Sequence, residues 1–182
     1  MVPPTVTVFV SSTWLDLQPE RKAVETALQR MRETEYVGME YLGNRDESTE
    51  QASLDEVGCS QVYVGILAGL YGSGITEAEY RHAHEERQLP CFLYVKDERV
   101  IPDQWRETEG EALTKLTKFK EAIRVPGKHT VTAFTSPDDL AAKVTADLHR
   151  WLFDAYLPPL LQQAALQGDV GQLRRVTDAV RD

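Results

Sequence analysis

Cysteine is scarce in this chain: Cys59 and Cys91 are the only two in 182 residues, and just four histidines accompany them. Neither cysteine stands in a metal-ligand spacing such as CxxC. Both border apolar stretches, where a free thiol serves as a small buried hydrophobe. His82 and His84 lie two apart, so on a helix they cannot face one metal, and no metal site is expected. Positive charge is also short, with 20 Lys and Arg against 29 Asp and Glu and a net charge of −9. Duplex binding calls for a basic stripe, and anionic membrane surfaces attract the same chemistry. Neither nucleic acid nor membrane is therefore an expected partner. No apolar run approaches the roughly 20 residues of a membrane helix. The opening MVPPTVTVFV has no basic n-region and no cleavage pattern, so no export signal and a cytoplasmic location are expected. The chain also lacks a GxxxxGK[ST] phosphate loop and a GxSxG nucleophile elbow, which sets aside P-loop kinases and ATPases and the serine-elbow hydrolases.

What is present is the make-up of an ordinary globular domain, 42% hydrophobic and 27% charged. Short valine-rich runs alternate with amphipathic segments. Strands are expected over Thr5–Val10, Tyr36–Tyr41, Val62–Ala68, Pro90–Val95 and Thr130–Phe134. Val62–Ala68, "VYVGILA", is the most apolar and the candidate central strand. Helices are expected from Pro19, where a missing N–H costs nothing, and over Ser48–Cys59, Thr76–Gln88, Glu107–Arg124 and Asp138–Phe153. Alternation of this kind predicts right-handed βαβ units and a mostly parallel, doubly wound α/β sheet of flavodoxin-like order 2-1-3-4-5. The core domain is placed at residues 1–153. Pro158 and Pro159 are expected to break the last core helix. Residues 154–182, two short helical patterns separated by Gly168 and Gly171, read as a helical linker or the start of a following module.

In that strand order the first and third strands are neighbours at the switch point, beyond whose carboxyl ends ligands bind. The loop Ser11–Asp16 should then lie beside the loop Leu70–Thr76. Ser11, Ser12 and Ser73 offer hydroxyls there. Trp14 and Tyr71 offer aromatic walls, and Gly72 and Gly74 allow close backbone approach. Glu77 and Glu79 follow in what reads as the first turn of the next helix. Each has a plainer alternative. Thr76 and Glu79 form a capping-box pattern. Asp16 is an alternative cap for the first helix, and Trp14 an alternative packing residue. Arg21, a cation in a first helical turn, opposes the dipole and calls for a carboxylate neighbour or an anionic ligand.

The stretches "VFVSSTWLDLQPER", "SLDEVGCSQVYVGILAGLYG", "ITEAEYRHA" and "LPCFLYV" together resemble the domain-of-unknown-function 4062 family over about residues 5–153. The resemblance implies a TIR-like domain of the kind found ahead of STAND- or NLR-type modules in signalling and immune-defence proteins. Gln61 stands where that family often has an aspartate. More widely, Glu79-Tyr80-Arg81-His82-Ala83 is similar to the E-L-x-x-A pattern of TIR domains and nucleoside deoxyribosyltransferases. That likeness implies Glu79 as the catalytic carboxylate for cleaving an N-glycosidic bond. Ser11, Ser12, Trp14, Asp16, Arg21, Tyr71, Ser73 and Glu77 would bind the substrate. NAD or a related nucleotide would enter as substrate, with no cofactor, and the domain would self-associate. The other functions the resemblance implies are a non-catalytic homotypic interaction domain and a nucleoside transferase. A carboxylate at a helix N-terminus is expected to stay ionised.

Overall fold

The computed structural model describes residues 5–38, 48–126 and 129–166. Five strands, β1 (Val6–Ser12), β2 (Thr34–Val37), β3 (Val62–Leu67), β4 (Cys91–Lys96) and β5 (Val131–Phe134), form one sheet. Every pairing is parallel and the order is β2-β1-β3-β4-β5. This is the expected doubly wound α/β architecture, and β3, buried along its whole length, lies at its centre.

Helices α1 (Gln18–Arg30) and α5 (Pro137–Trp151) cover one face. Val8, Val10, Val64 and Ile66 from the strands pack there with Val24, Leu28, Leu140 and Val144. Helices α2 (Thr49–Cys59), α3 (Ile75–Arg81) and α4 (Gly110–Ile123) cover the other. Phe9, Tyr63, Leu67 and Leu93 pack there with Val57, Tyr80 and Phe119. Strand residues alternate between the two cores because side chains on a pleated strand point to opposite faces in turn. The chain's stability rests on these two cores, one on each face of the sheet.

Several boundaries differ from expectation for local reasons. β1 runs two residues further than its apolar run, so Ser11 and Ser12 belong to the strand and pair with Gly65 and Ile66. The expected Tyr36–Tyr41 strand is centred earlier, at Thr34–Val37, and residues 39–41 lie outside the described residues. α3 begins at Ile75 behind Gly74, whose φ of 89° is left-handed and suits glycine alone. It passes into a π-helical turn over His82–Glu86. α4 begins at Gly110, after short 3-10 turns at Glu98–Val100 and Asp103–Trp105. Pro158 and Pro159 do not end the last core helix. A π turn over Leu152–Tyr156 carries α5 into α6 (Leu157–Leu166), whose second and third residues are the two prolines. The second helical pattern expected beyond Gly168 lies outside the described residues.

Gly69 fixes the exit of β3. Its carbonyl accepts from Glu107 N at 2.8 Å, and a Cβ on it would sit 2.0 Å from the Trp105 carbonyl oxygen. Gly58, inside α2, has nothing nearer than 3.5 Å. Gly69→Ala is expected to destabilise the fold by about 1–3 kcal/mol, because backbone must move. Gly58→Ala is expected to stabilise it by up to about 1 kcal/mol through helix propensity. Denaturant midpoints of the two variants should therefore shift in opposite directions.

Candidate active site beneath the switch-point cleft

The carboxyl ends of β1 and β3 open into a cleft of about 220 Å³. Ser12, Thr13, Trp14 and Leu15 line one side, and Leu70–Thr76 the other. The two loops thus meet as the strand order requires. Ser12, Trp14, Tyr71 and Ser73 share this cleft. Trp14 is 47% exposed and forms an open aromatic wall.

Glu79 does not line the cleft. α3 runs away from the cleft, so Glu79 lies one turn, about 4.5 Å of helix rise, below Thr76. Its side chain is 1% exposed. Oε2 accepts a short hydrogen bond from Ser11 Oγ and Oε1 another from Ser53 Oγ. Ser11 and Ser53 are equally buried. The capping box is therefore not formed: the Glu79 carboxylate joins β1, α2 and α3 instead of its own helix end. Glu79 is the fifth residue of α3, not part of its first turn, so the dipole gives it little. Burial pushes its pKa above the ordinary glutamate value. Ser11, Ser53 and, more distantly, Arg21 pull it back down. The helix end is thus not what sets its pKa: desolvation is the larger effect.

Tyr63 lies beside Glu79 and Ser11. It is fully buried, its hydroxyl reaches the Thr76 carbonyl at 3.4 Å, and Ser11 also hydrogen-bonds to it. A Cβ on Gly65, the residue paired with Ser11, would come within 2.9 Å of the Tyr63 ring. Burial, followed by the nearby Glu79 charge, raises the Tyr63 pKa.

On the opposite face of the sheet sits Arg21, 2% exposed. Its Nη1 donates to Ser12 Oγ at 2.9 Å and to the Val10 carbonyl at 3.5 Å, and Nη2 donates to the Tyr36 hydroxyl at 3.4 Å. Its guanidinium lies 5.7 Å from the Trp14 ring centroid, a cation–π distance. Arg21 therefore props the cleft wall from behind.

Asp16 turns inward. It neither caps α1, which has no side-chain cap, nor lines the cleft. Its Oδ1 accepts from Thr13 Oγ1, and burial raises its pKa. Glu77 stays at the rim, accepting from the Tyr71 hydroxyl at 2.8 Å and from Arg81 at 2.7 Å. Burial and the bond to Glu77 push the Tyr71 phenol up to about 12.

Two features escape a reading of the chain. Ser53 sits in a helix whose apolar stripe is weak, and no motif marks it. Lys96, at the end of β4, reaches Glu20 of α1 at 2.6 Å in a buried ion pair. A lysine closing an apolar strand is the one hint of it.

The fold and site together define a doubly wound α/β domain with a buried carboxylate beneath its switch-point cleft. The chain belongs to the family described as domain of unknown function (DUF4062), whose model matches residues 7–149. Among curated proteins no match is found.

The Glu79 arrangement has a pH signature. Its folded pKa is raised above about 4.5. Between the unfolded and folded values the native state therefore holds more protons than the unfolded one, and stability falls as pH rises through that window. Glu79→Gln removes this dependence, so its stability relative to the parent should improve as pH rises above about 4.5. Ser53→Ala leaves Oε1 buried without that donor and should cost about 1–3 kcal/mol. Urea denaturation across this pH range checks both.

Proposed function

We propose that this domain hydrolyses the N-glycosidic bond of NAD or a related nucleotide, with Glu79 as its catalytic carboxylate. One observation supports the reading above others. A single glutamate is buried at the switch point, directly under an aromatic-walled cleft, with hydroxyls rather than a cation as its immediate partners. Burying a carboxylate without a contacting counter-ion is costly. Perturbed acids of this kind, next to a cleft, are what catalytic sites require. The E-L-x-x-A likeness around Glu79 points the same way.

The chemistry asks little of a leaving-group acid. The C1′–N bond breaks with its electron pair passing to the pyridinium nitrogen, so nicotinamide departs neutral. The ribose left behind is oxocarbenium-like, and a fixed carboxylate stabilises it. Water then forms the new C1′–O bond. A carboxylate with a raised pKa is suited to receive the proton that this water gives up. The Ser11 and Ser53 hydroxyls hold both oxygens in place. They rotate aside at the cost of one hydrogen bond each when substrate reaches the floor.

The same closure favours a second reading. With both oxygens engaged and the side chain sealed from solvent, Glu79 also serves as a polar pin between β1, α2 and α3. This is the role it would have in a non-catalytic interaction domain.

The two readings separate on Glu79→Gln. A glutamine keeps the shape but loses the charge. Loss of one preorganised electrostatic contact costs about 100- to 1,000-fold in rate. NAD turnover should fall by that factor while the melting temperature stays level or rises. An active parent whose Glu79→Gln variant turns over NAD at the same rate leaves only the pin.

A further inference from the structure

The cleft's lining carries more than its position. Its eleven residues, Ser12–Leu15 and Leu70–Thr76, include neither a lysine nor an arginine, nor any acid. Recognition of phosphate rests on guanidinium or ammonium groups or on a helix N-terminus aimed at the ligand. α3 opens at the cleft and runs on through the π turn to Glu86, but Glu77 sets a carboxylate in its first turn, which opposes a second anion there.

Among the described residues, the cations beside Tyr71 are already answered. Arg81 is held by Glu77 at 2.7 Å, and Lys115, whose Nζ lies 6.0 Å from the Tyr71 ring centroid, by Glu111 at 2.7 Å. Arg21 stands behind Trp14, engaged with Ser12 and Tyr36. The field of the whole chain opposes an anion as well, at a net charge of −9. A site built to read a pyrophosphate against that field would need local cations, and the described lining has none.

Size points the same way. Pockets that enclose a drug-sized ligand run to about 300–1,000 Å³, and this cleft offers about 220 Å³. It has room for a base and one sugar, not for a whole dinucleotide. What it does offer is aromatic surface from Trp14 and Tyr71 and the hydroxyls of Ser73 and Thr76. These suit the face of a planar ring, a pyridinium included, and the edge of a ribose.

We infer that the cleft recognises the base–ribose end of its ligand and is blind to phosphate, so that a nucleoside alone satisfies it. This rests on the cleft being the substrate site of the proposed glycosidic reaction, and it concerns binding alone.

The test is equilibrium binding to the full chain carrying Glu79→Gln, which on the proposed reading slows turnover by about 100- to 1,000-fold. Nicotinamide riboside and NAD are titrated at about 50 mM and about 500 mM salt. The expected result is that the two dissociation constants agree within about threefold and move less than about twofold with salt, since no phosphate contact is there to be screened. Trp14→Ala should weaken both by about tenfold or more, as loss of a stacking wall does. Trp14→Phe should restore most of that binding. Trp14 is half exposed, so neither change threatens the fold. NAD binding more than about tenfold tighter than the riboside, with the advantage lost at high salt, would overturn the inference. So would failure of the riboside to bind at millimolar concentration, or binding indifferent to Trp14. Failure of Glu79 as the catalytic group would appear as equal NAD turnover by the parent and the Glu79→Gln chain, a readout separate from the riboside affinity and its dependence on Trp14.

Discussion

Ser11 and Ser12 are consecutive residues at the end of a pleated strand, so they must point to opposite faces of the sheet. Everything at the site depends on that constraint. Ser11 turns towards α2 and α3 and donates to Glu79. Ser12 turns towards α1 and accepts from Arg21. One buried acid and one buried base are thereby anchored on opposite sides of the same strand end, close enough for the arginine to lower the pKa of the glutamate. Each is tied to the sheet through a hydroxyl. This is why small polar residues, not apolar ones, end the strand.

The cleft follows from the same geometry. With Arg21 fixed behind it, Trp14 is propped at the rim without being buried. With Thr13 bound to Asp16, the loop that carries Trp14 is tied inward. Across the cleft, Tyr71 is tied through Glu77 to Arg81, and Gly69 lets the Trp105 carbonyl press against the exit of β3. Both aromatic walls are thus braced from outside while the space between the loops is left to hydroxyls and backbone. The carboxylate lies under the floor, where desolvation strengthens any electrostatic contact it makes. A similar logic holds at the Glu20–Lys96 pair, which links α1 to the end of β4. Its net worth to stability is small, but removing one partner would strand the other charge in the interior.

Much of this was legible in the chain. Alternating apolar runs and amphipathic segments dictate parallel βαβ units, and parallel strands must be covered on both faces. The order 2-1-3-4-5 and the meeting of the Ser11–Asp16 and Leu70–Thr76 segments follow from that pattern together with the handedness of crossovers. Ser12, Trp14, Tyr71 and Ser73 could therefore be brought to one cleft before any coordinates. Local periodicity carries such information because it is set by backbone geometry, which every residue shares.

Tertiary structure alone decided the rest. The Thr76–Glu79 spacing looks like a capping box, yet the helix starts one residue before Thr76, and a buried carboxylate prefers the Ser11 and Ser53 hydroxyls to a helix end near solvent. Ser53 could not be found, because it is 26 residues from its partner and lies in a helix with no distinguishing pattern. Asp16 and Glu77 both look like ligands in a list of polar residues, but one faces the interior and the other the rim. The direction in which the Glu79 pKa moves is likewise set by tertiary structure, since the dipole is a local quantity and desolvation is not. Periodicity determines which elements form and in what order they stack. Which polar atom ends beside which is settled only when distant segments exclude water together, and no single segment of the chain encodes that.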